Sequence, residues 1–144
     1  MKKVILILLT AVVAVSTIAF AQNSADPEQQ KSSGQVIVYY FHGNFRCVTC
    51  LNMEKYSKEA IETNFKDALA SGNLEFEAVN VENKGNEHYV NDYQLYTKSL
   101  VLSFVKNGKE VKSKNLTKIW DYARDKQKFI AYVTEEAKAF LEGV

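Results

Sequence analysis

The chain has 144 residues, 47% of them apolar and 12% aromatic, enough to bury the core of one domain and too much for a disordered segment. Its 18 Lys and Arg nearly balance 17 Asp and Glu. With no basic excess, the balance argues against a protein that works by neutralising nucleic-acid phosphates or an anionic membrane surface.

The N-terminus reads as an export signal. Lys2 and Lys3 precede an apolar run from Val4 to Ala14 broken only by Thr10, and Ala19-Phe20-Ala21 supplies a small-x-small cleavage pattern. The run is short for a permanent membrane span, which is the competing reading. Residues 1–21 are therefore expected to be removed and the protein to be exported, to a periplasm or to the medium. Removal of 21 residues from 144 leaves 123, in which 16 basic side chains face 17 acidic ones, a net charge of −1. Residues 22–34 (QNSADPEQQKSSG) hold the only Pro and almost nothing that could be buried, as in a flexible tether. Residues 35–144 form the expected domain.

Within it, Val36 to Phe41 is a β-branched and aromatic run without polar alternation, the pattern of a central strand covered on both faces. After the polar corner His42-Gly-Asn-Phe-Arg46, apolar residues recur at helical spacing at Leu51, Tyr56, Ala60, Ile61, Phe65, Ala68 and Leu69, with Gly72 as a stop. One long helix is expected there, and Glu54 with Lys58 and Glu62 with Lys66 add i, i+4 pairs. Leu74 to Glu82 reads as a second, parallel strand, and Glu87 to Tyr93 as a short helix. Ser99 to Lys106 is a third strand, Asn107-Gly108 a hairpin turn, and Glu110 to Lys112 the start of a return strand. Asn115 is placed to cap a helix carrying Ile119, Trp120 and Ala123, a simpler reading of Asn115-Leu-Thr117 than a glycosylation acceptor. A final helix aligns Phe129, Ile130, Val133, Ala137, Phe140 and Leu141. The expected class is α/β, a mixed four-stranded sheet flanked by helices in the order β-α-β-α-β-β-α-α.

Both Cys lie in one C-x-x-C, Cys47-Val48-Thr49-Cys50, at the start of the first helix. In an oxidising compartment they can pair with each other or with a partner. Unpaired N–H groups and the dipole at a helix N-terminus stabilise a thiolate, and Arg46 adds a neighbouring cation, so Cys47 reads as the nucleophile. Cys50, one turn in, is placed to resolve a mixed disulfide. The Thr49 hydroxyl could donate to the Cys47 sulfur, and Val48 is the exposed apolar contact. His42 could supply a proton or a third metal ligand beside Cys47 and Cys50. His88, Tyr93, Tyr96 and Trp120 read as surface or rim residues.

Strand, turn, C-x-x-C opening a helix, parallel strand, short helix and hairpin resemble the thioredoxin fold from Val36 to about Lys112. More closely, Tyr39-Tyr-Phe-His-Gly43, Asp92-Tyr-Gln-Leu-Tyr-Thr-Lys-Ser-Leu-Val-Leu102 and the Trp120 segment resemble the small exported family called nitrophenyl compound nitroreductase subunit ArsF. That resemblance implies a thioredoxin-like redox subunit whose electrons come from a permease-like membrane dithiol carrier. The chain departs from ordinary thioredoxins in several ways. Arg46 stands in place of their Trp, Val48-Thr49 in place of Gly-Pro, and their buried acid and its Lys partner have no match, the latter falling at Ala78. Their cis-Pro is replaced by Ser99 or Leu100, which inherit its substrate-docking place.

Two functions follow. The first is an exported thiol-disulfide oxidoreductase or dithiol electron carrier, with no cofactor beyond the Cys47/Cys50 couple, acting as a monomer on disulfide-bearing proteins. The second is a soft-metal or metalloid carrier for arsenic, copper or zinc through the same two thiols. No flavin or nicotinamide signature such as G-x-G-x-x-G occurs. The export reading predicts cleavage after Ala21, and N-terminal mass analysis of exported protein checks it. Mature protein retaining Met1 would support the anchored alternative.

Overall fold

A computed structural model describes residues 34–144. The expected signal and all of the tether but Gly34 lie outside the described residues. Four strands, β1 (Gln35–His42), β2 (Leu74–Asn80), β3 (Ser99–Lys106) and β4 (Lys109–Asn115), form one sheet in the order β2-β1-β3-β4. β1 runs parallel to β2 and antiparallel to β3, and β3 is antiparallel to β4. The expected mixed four-stranded sheet is present. None of the helices among the described residues is long and apolar enough to cross a membrane.

The absence of polar alternation in β1 is explained by a layer on each face. Val36, Val38 and Tyr40 face a core completed by Leu100 and Leu102 of β3, by α1 (Val48–Asn64) and by α4 (Lys126–Glu142). Tyr39 and Phe41 face the opposite side, with Val79, Val101 and Leu95, beneath Tyr89 and Tyr93 of α3 (His88–Asp92) and its C-cap. The side chains of β4 are all exposed, and its three Lys discourage edge-to-edge pairing. The hairpin between β3 and β4 turns on Asn107 and Gly108, whose φ of 54° and 73° are the left-handed values a two-residue type I′ turn needs.

Three expectations are corrected. The single long first helix is two, because Phe65 leaves helical geometry at φ −127°, ψ 37° and α2 (Lys66–Ala70) starts afresh. The Asn64 side chain donates to the Ala60 carbonyl at 2.8 Å, a local side-chain bond of the kind that competes with helix propagation. The Asn115-capped helix is only a 3₁₀ turn (Thr117–Ile119): Asn115 ends β4, and the Leu116 N–H is spent on Leu100 O at 2.8 Å. The element order is thus β-α-α-β-α-β-β-3₁₀-α. Leu51 does not join the apolar face of α1 but is half exposed, because the inward stripe runs through Cys50, Met53, Ser57, Ala60 and Ile61. Ser57 is tolerated in that stripe because its hydroxyl donates to Met53 O at 2.8 Å.

The last helix packs as its spacing implies. Phe129, Val133, Ala137 and Phe140 are buried, and Ile130 and Leu141 pack against the same core. Asp125 caps it by accepting from the Lys128 N–H at 3.1 Å. Phe129 meets Tyr56 of α1 edge to face, with ring centroids 5.8 Å apart. Phe129→Ala would empty the junction of α1, α4 and the sheet, and a loss of about 3–5 kcal/mol is expected in urea unfolding.

Candidate functional site

The site lies where β1 ends and the chain turns back to enter α1. Cys47 is the N-cap, with extended φ and ψ of −81° and 164°, and its Sγ accepts from the backbone N–H of Cys50 at 3.3 Å. One orphan donor of the helix N-terminus therefore already points at that sulfur. The two Cys are joined as a disulfide with Cα atoms 5.1 Å apart, an ordinary separation for such a bridge. Cys47 is partly exposed, Cys50 is buried at 2% exposure, and Val48 between them stands out at 75%. An accessible sulfur at the helix end and a covered one a turn deeper give the pair distinct chemical positions.

The other sequence-derived candidates are placed as follows. The bond to the Cys47 sulfur comes from the Cys50 backbone, not from the partly buried Thr49 hydroxyl. The guanidinium of Arg46 is bound to the Glu54 carboxylate and, at 3.2 Å, to His42 Nε2, so it is not the free cation that sequence suggests. His42 Nδ1 lies 3.0 Å from Gly43 O. A carbonyl can only accept and a guanidinium only donate, which assigns the imidazole proton to Nδ1 and the acceptor lone pair to Nε2. Among the described residues no group of three or more His, Cys, Asp or Glu is placed to hold a metal ion, and His42 Nε2 is engaged by Arg46.

The docking place given to Ser99 and Leu100 falls on residues with little exposed surface. Both are buried and pair with Phe41 and Tyr40 of β1, and Leu100 O accepts from the Leu116 N–H at 2.8 Å. Ser99 Oγ donates to Thr97 O at 3.0 Å. The exposed part of that segment comes just before it, in Tyr96, which is 94% exposed, and Thr97. Lys98 stands 5.9 Å above the centroid of the exposed Phe45 ring, and its carbonyl accepts from Trp120 Nε1 at 3.0 Å. These contacts draw the corner before Cys47, the loop before β3 and the segment after β4 to one end of the sheet.

Sequence reading missed two residues. The Tyr40 hydroxyl, buried in β1, donates to the Cys50 carbonyl at 2.7 Å and ties the first turn of α1 to the central strand. Burial pushes its hydroxyl pKa upward, while Arg46 acts to lower it and Glu54 to raise it. The signal was one aromatic residue among three in an apolar run, which does not disclose what its hydroxyl meets. Glu54 was paired with Lys58 by spacing, but Arg46 takes it, and Lys58 faces Glu62 at 3.7 Å.

The solved structures include a similar chain, the X-ray structure of Fasciola hepatica thioredoxin. It is 26% identical over 65% of this chain and 81% of that one, with a TM-score of 0.37. A likeness of that size carries no argument by itself, and the strand order and senses given above do. The fold is thioredoxin-like. No protein-family model matches the chain and no curated protein matches it, so the finer resemblance to the ArsF family rests on its sequence motifs alone. A Cys-x-x-Cys bridge at a helix N-terminus of this fold supports thiol-disulfide redox chemistry. Reduced protein is expected to alkylate faster at Cys47 than at Cys50 at neutral pH, as read by mass analysis of partially labelled peptides. Faster labelling of Cys50 would reverse their roles.

Proposed function

We propose that the protein is an exported thiol-disulfide oxidoreductase or dithiol electron carrier working through Cys47 and Cys50. The observation that carries the reading is the asymmetry of the pair: Cys47 Sγ is partly exposed and receives the Cys50 N–H, while Cys50 is covered. In the reducing direction, the Cys47 thiolate attacks a partner disulfide. A Cys47–partner S–S bond forms as the partner's own bridge breaks, and one partner thiolate leaves. The Cys50 thiolate then attacks Cys47 Sγ, the intramolecular disulfide closes, and the second partner thiolate leaves. Two electrons pass to the partner. A dithiol donor reverses both steps and restores the reduced pair.

A protein partner suits the surroundings. Phe45, Val48 and Tyr96 are well exposed at this end of the sheet, with Trp120 less so, and the clefts flanking the Tyr96–Lys98 loop measure about 180 and 160 Å³. Those volumes admit single side chains of a docked chain, whereas small-molecule and cofactor pockets run to roughly 300–1,000 Å³. For an exported chain the donor is a membrane protein that carries electrons across as dithiols. The same exchange would let it serve as the redox subunit of a nitroreductase-type system, as the ArsF resemblance implies.

Insulin disulfide reduction driven by a chemical dithiol tests the reading, with activity expected for the natural chain and lost in both Cys47→Ser and Cys50→Ala. Nicotinamide hydride must pass through a flavin or a comparable acceptor before it reaches a dithiol. Purified protein given NADPH alone is therefore expected to leave nitrophenyl compounds unreduced. Turnover under those conditions, or insulin reduction that survives both Cys substitutions, would overturn the reading.

A further inference from the structure

We infer that Glu54, by neutralising Arg46, sets how strongly the Cys47 thiolate is stabilised and hence the reduction potential of the pair; the inference rests on the redox reading of Cys47 and Cys50. Arg46 directly precedes Cys47, and its charge would favour the thiolate if it stood alone. It does not stand alone. Its guanidinium binds the Glu54 carboxylate and His42 Nε2, and its Nε is buried without a hydrogen-bond partner.

The Arg46 and Glu54 side chains are 23% and 29% exposed, so solvent screens the pair less than it would a surface ion pair. Glu54 lies four residues beyond Cys50, and residues at that spacing are neighbours on one helix face. Its negative charge therefore sits behind the redox turn, where it offsets the guanidinium. The Tyr40 hydroxyl, bonded to Cys50 O, ties this turn to β1, the strand that also carries His42 of the same charge chain. His42 meets the same guanidinium through Nε2, with Nδ1 toward Gly43 O. Two further charged groups reach the same corner: Lys98, over Phe45 from the loop before β3, and Glu82, whose side chain packs on Gly43. Neither is bound into the pair. What stabilises the thiolate in the natural chain is thus chiefly the helix terminus and the Cys50 N–H, with the Arg46 charge held in check.

A charge cycle tests this. The four reduced proteins are the natural chain, Glu54→Gln, Arg46→Gln and the double variant. For each, the Cys47 thiolate is titrated by ultraviolet absorbance, the equilibrium with glutathione is measured, and the urea midpoint is recorded. Glu54→Gln is expected to move the Cys47 titration down by about one pH unit and, at a pH above both titrations, to shift the glutathione equilibrium by up to about tenfold toward the dithiol, since a stabilised thiolate favours the reduced form. Arg46→Gln leaves Glu54 uncompensated and shifts both the opposite way. The double variant returns to within about twofold of the natural chain. A purely structural pair would lower the urea midpoint in both single variants without shifts of opposite sign. Glu54→Gln that titrates like the natural chain, or shifts in the same sense as Arg46→Gln, would overturn the inference. The titrations do not depend on any protein substrate, so failure of insulin reduction with the cycle intact would count against the functional reading alone.

Discussion

The constraint on which the structure depends is the burial of β1 on both faces while it pairs along its length with β2 and β3. Alternate residues feed two cores, Val36, Val38 and Tyr40 on the helix side and Tyr39 and Phe41 on the other. A strand so held cannot slip by one residue without exchanging every side chain between the two layers. Its end at His42 therefore fixes where the chain leaves the sheet and where Cys47 is delivered.

The site inherits that rigidity through a polar contact. The Tyr40 hydroxyl reaches the Cys50 carbonyl from the strand, so the helix turn bearing the disulfide is anchored to a strand buried on both faces. On the opposite face Tyr39, Phe41, Tyr89 and Tyr93 cluster with ring centroids 5.1 to 6.2 Å apart, and α3 covers this face although it is only five residues long. Glu110 of β4 extends the cover by accepting from the Tyr93 and Ser103 hydroxyls. The disulfide end of the sheet is built differently, with Phe45 and Val48 exposed on either side of a partly exposed Cys47 in the chain. The molecule thus keeps a firm base beneath a reactive edge.

Charge at that edge is arranged in a short chain. Glu54, Arg46 and His42 are linked in series, from α1 across the corner to β1. Each partner constrains the next: the carboxylate takes one side of the guanidinium, the imidazole lone pair takes the other, and Gly43 O selects the imidazole tautomer. A part-buried set of this kind is less easily screened than the surface pairs elsewhere, such as Lys58 with Glu62 or His88 with Asp92.

Local chemistry determined much of this protein from sequence. The unbroken β-branched run specified a central strand, Asn107-Gly108 a type I′ hairpin, the spacing from Phe129 to Phe140 the face of the last helix, and C-x-x-C after a polar corner a dithiol at a helix start. Each is a short-range property of the backbone or of one element's periodicity. Where the sequence misled, a longer-range partner had intervened. Leu100 O took the N–H of Leu116 beside the expected cap, and Arg46 claimed Glu54 from Lys58. Only the tertiary structure brought the Tyr40 hydroxyl to Cys50 and the Glu54 carboxylate to Arg46. Spacing records which residues share a face of their own element, while the partner that a polar group meets across elements depends on how those elements pack.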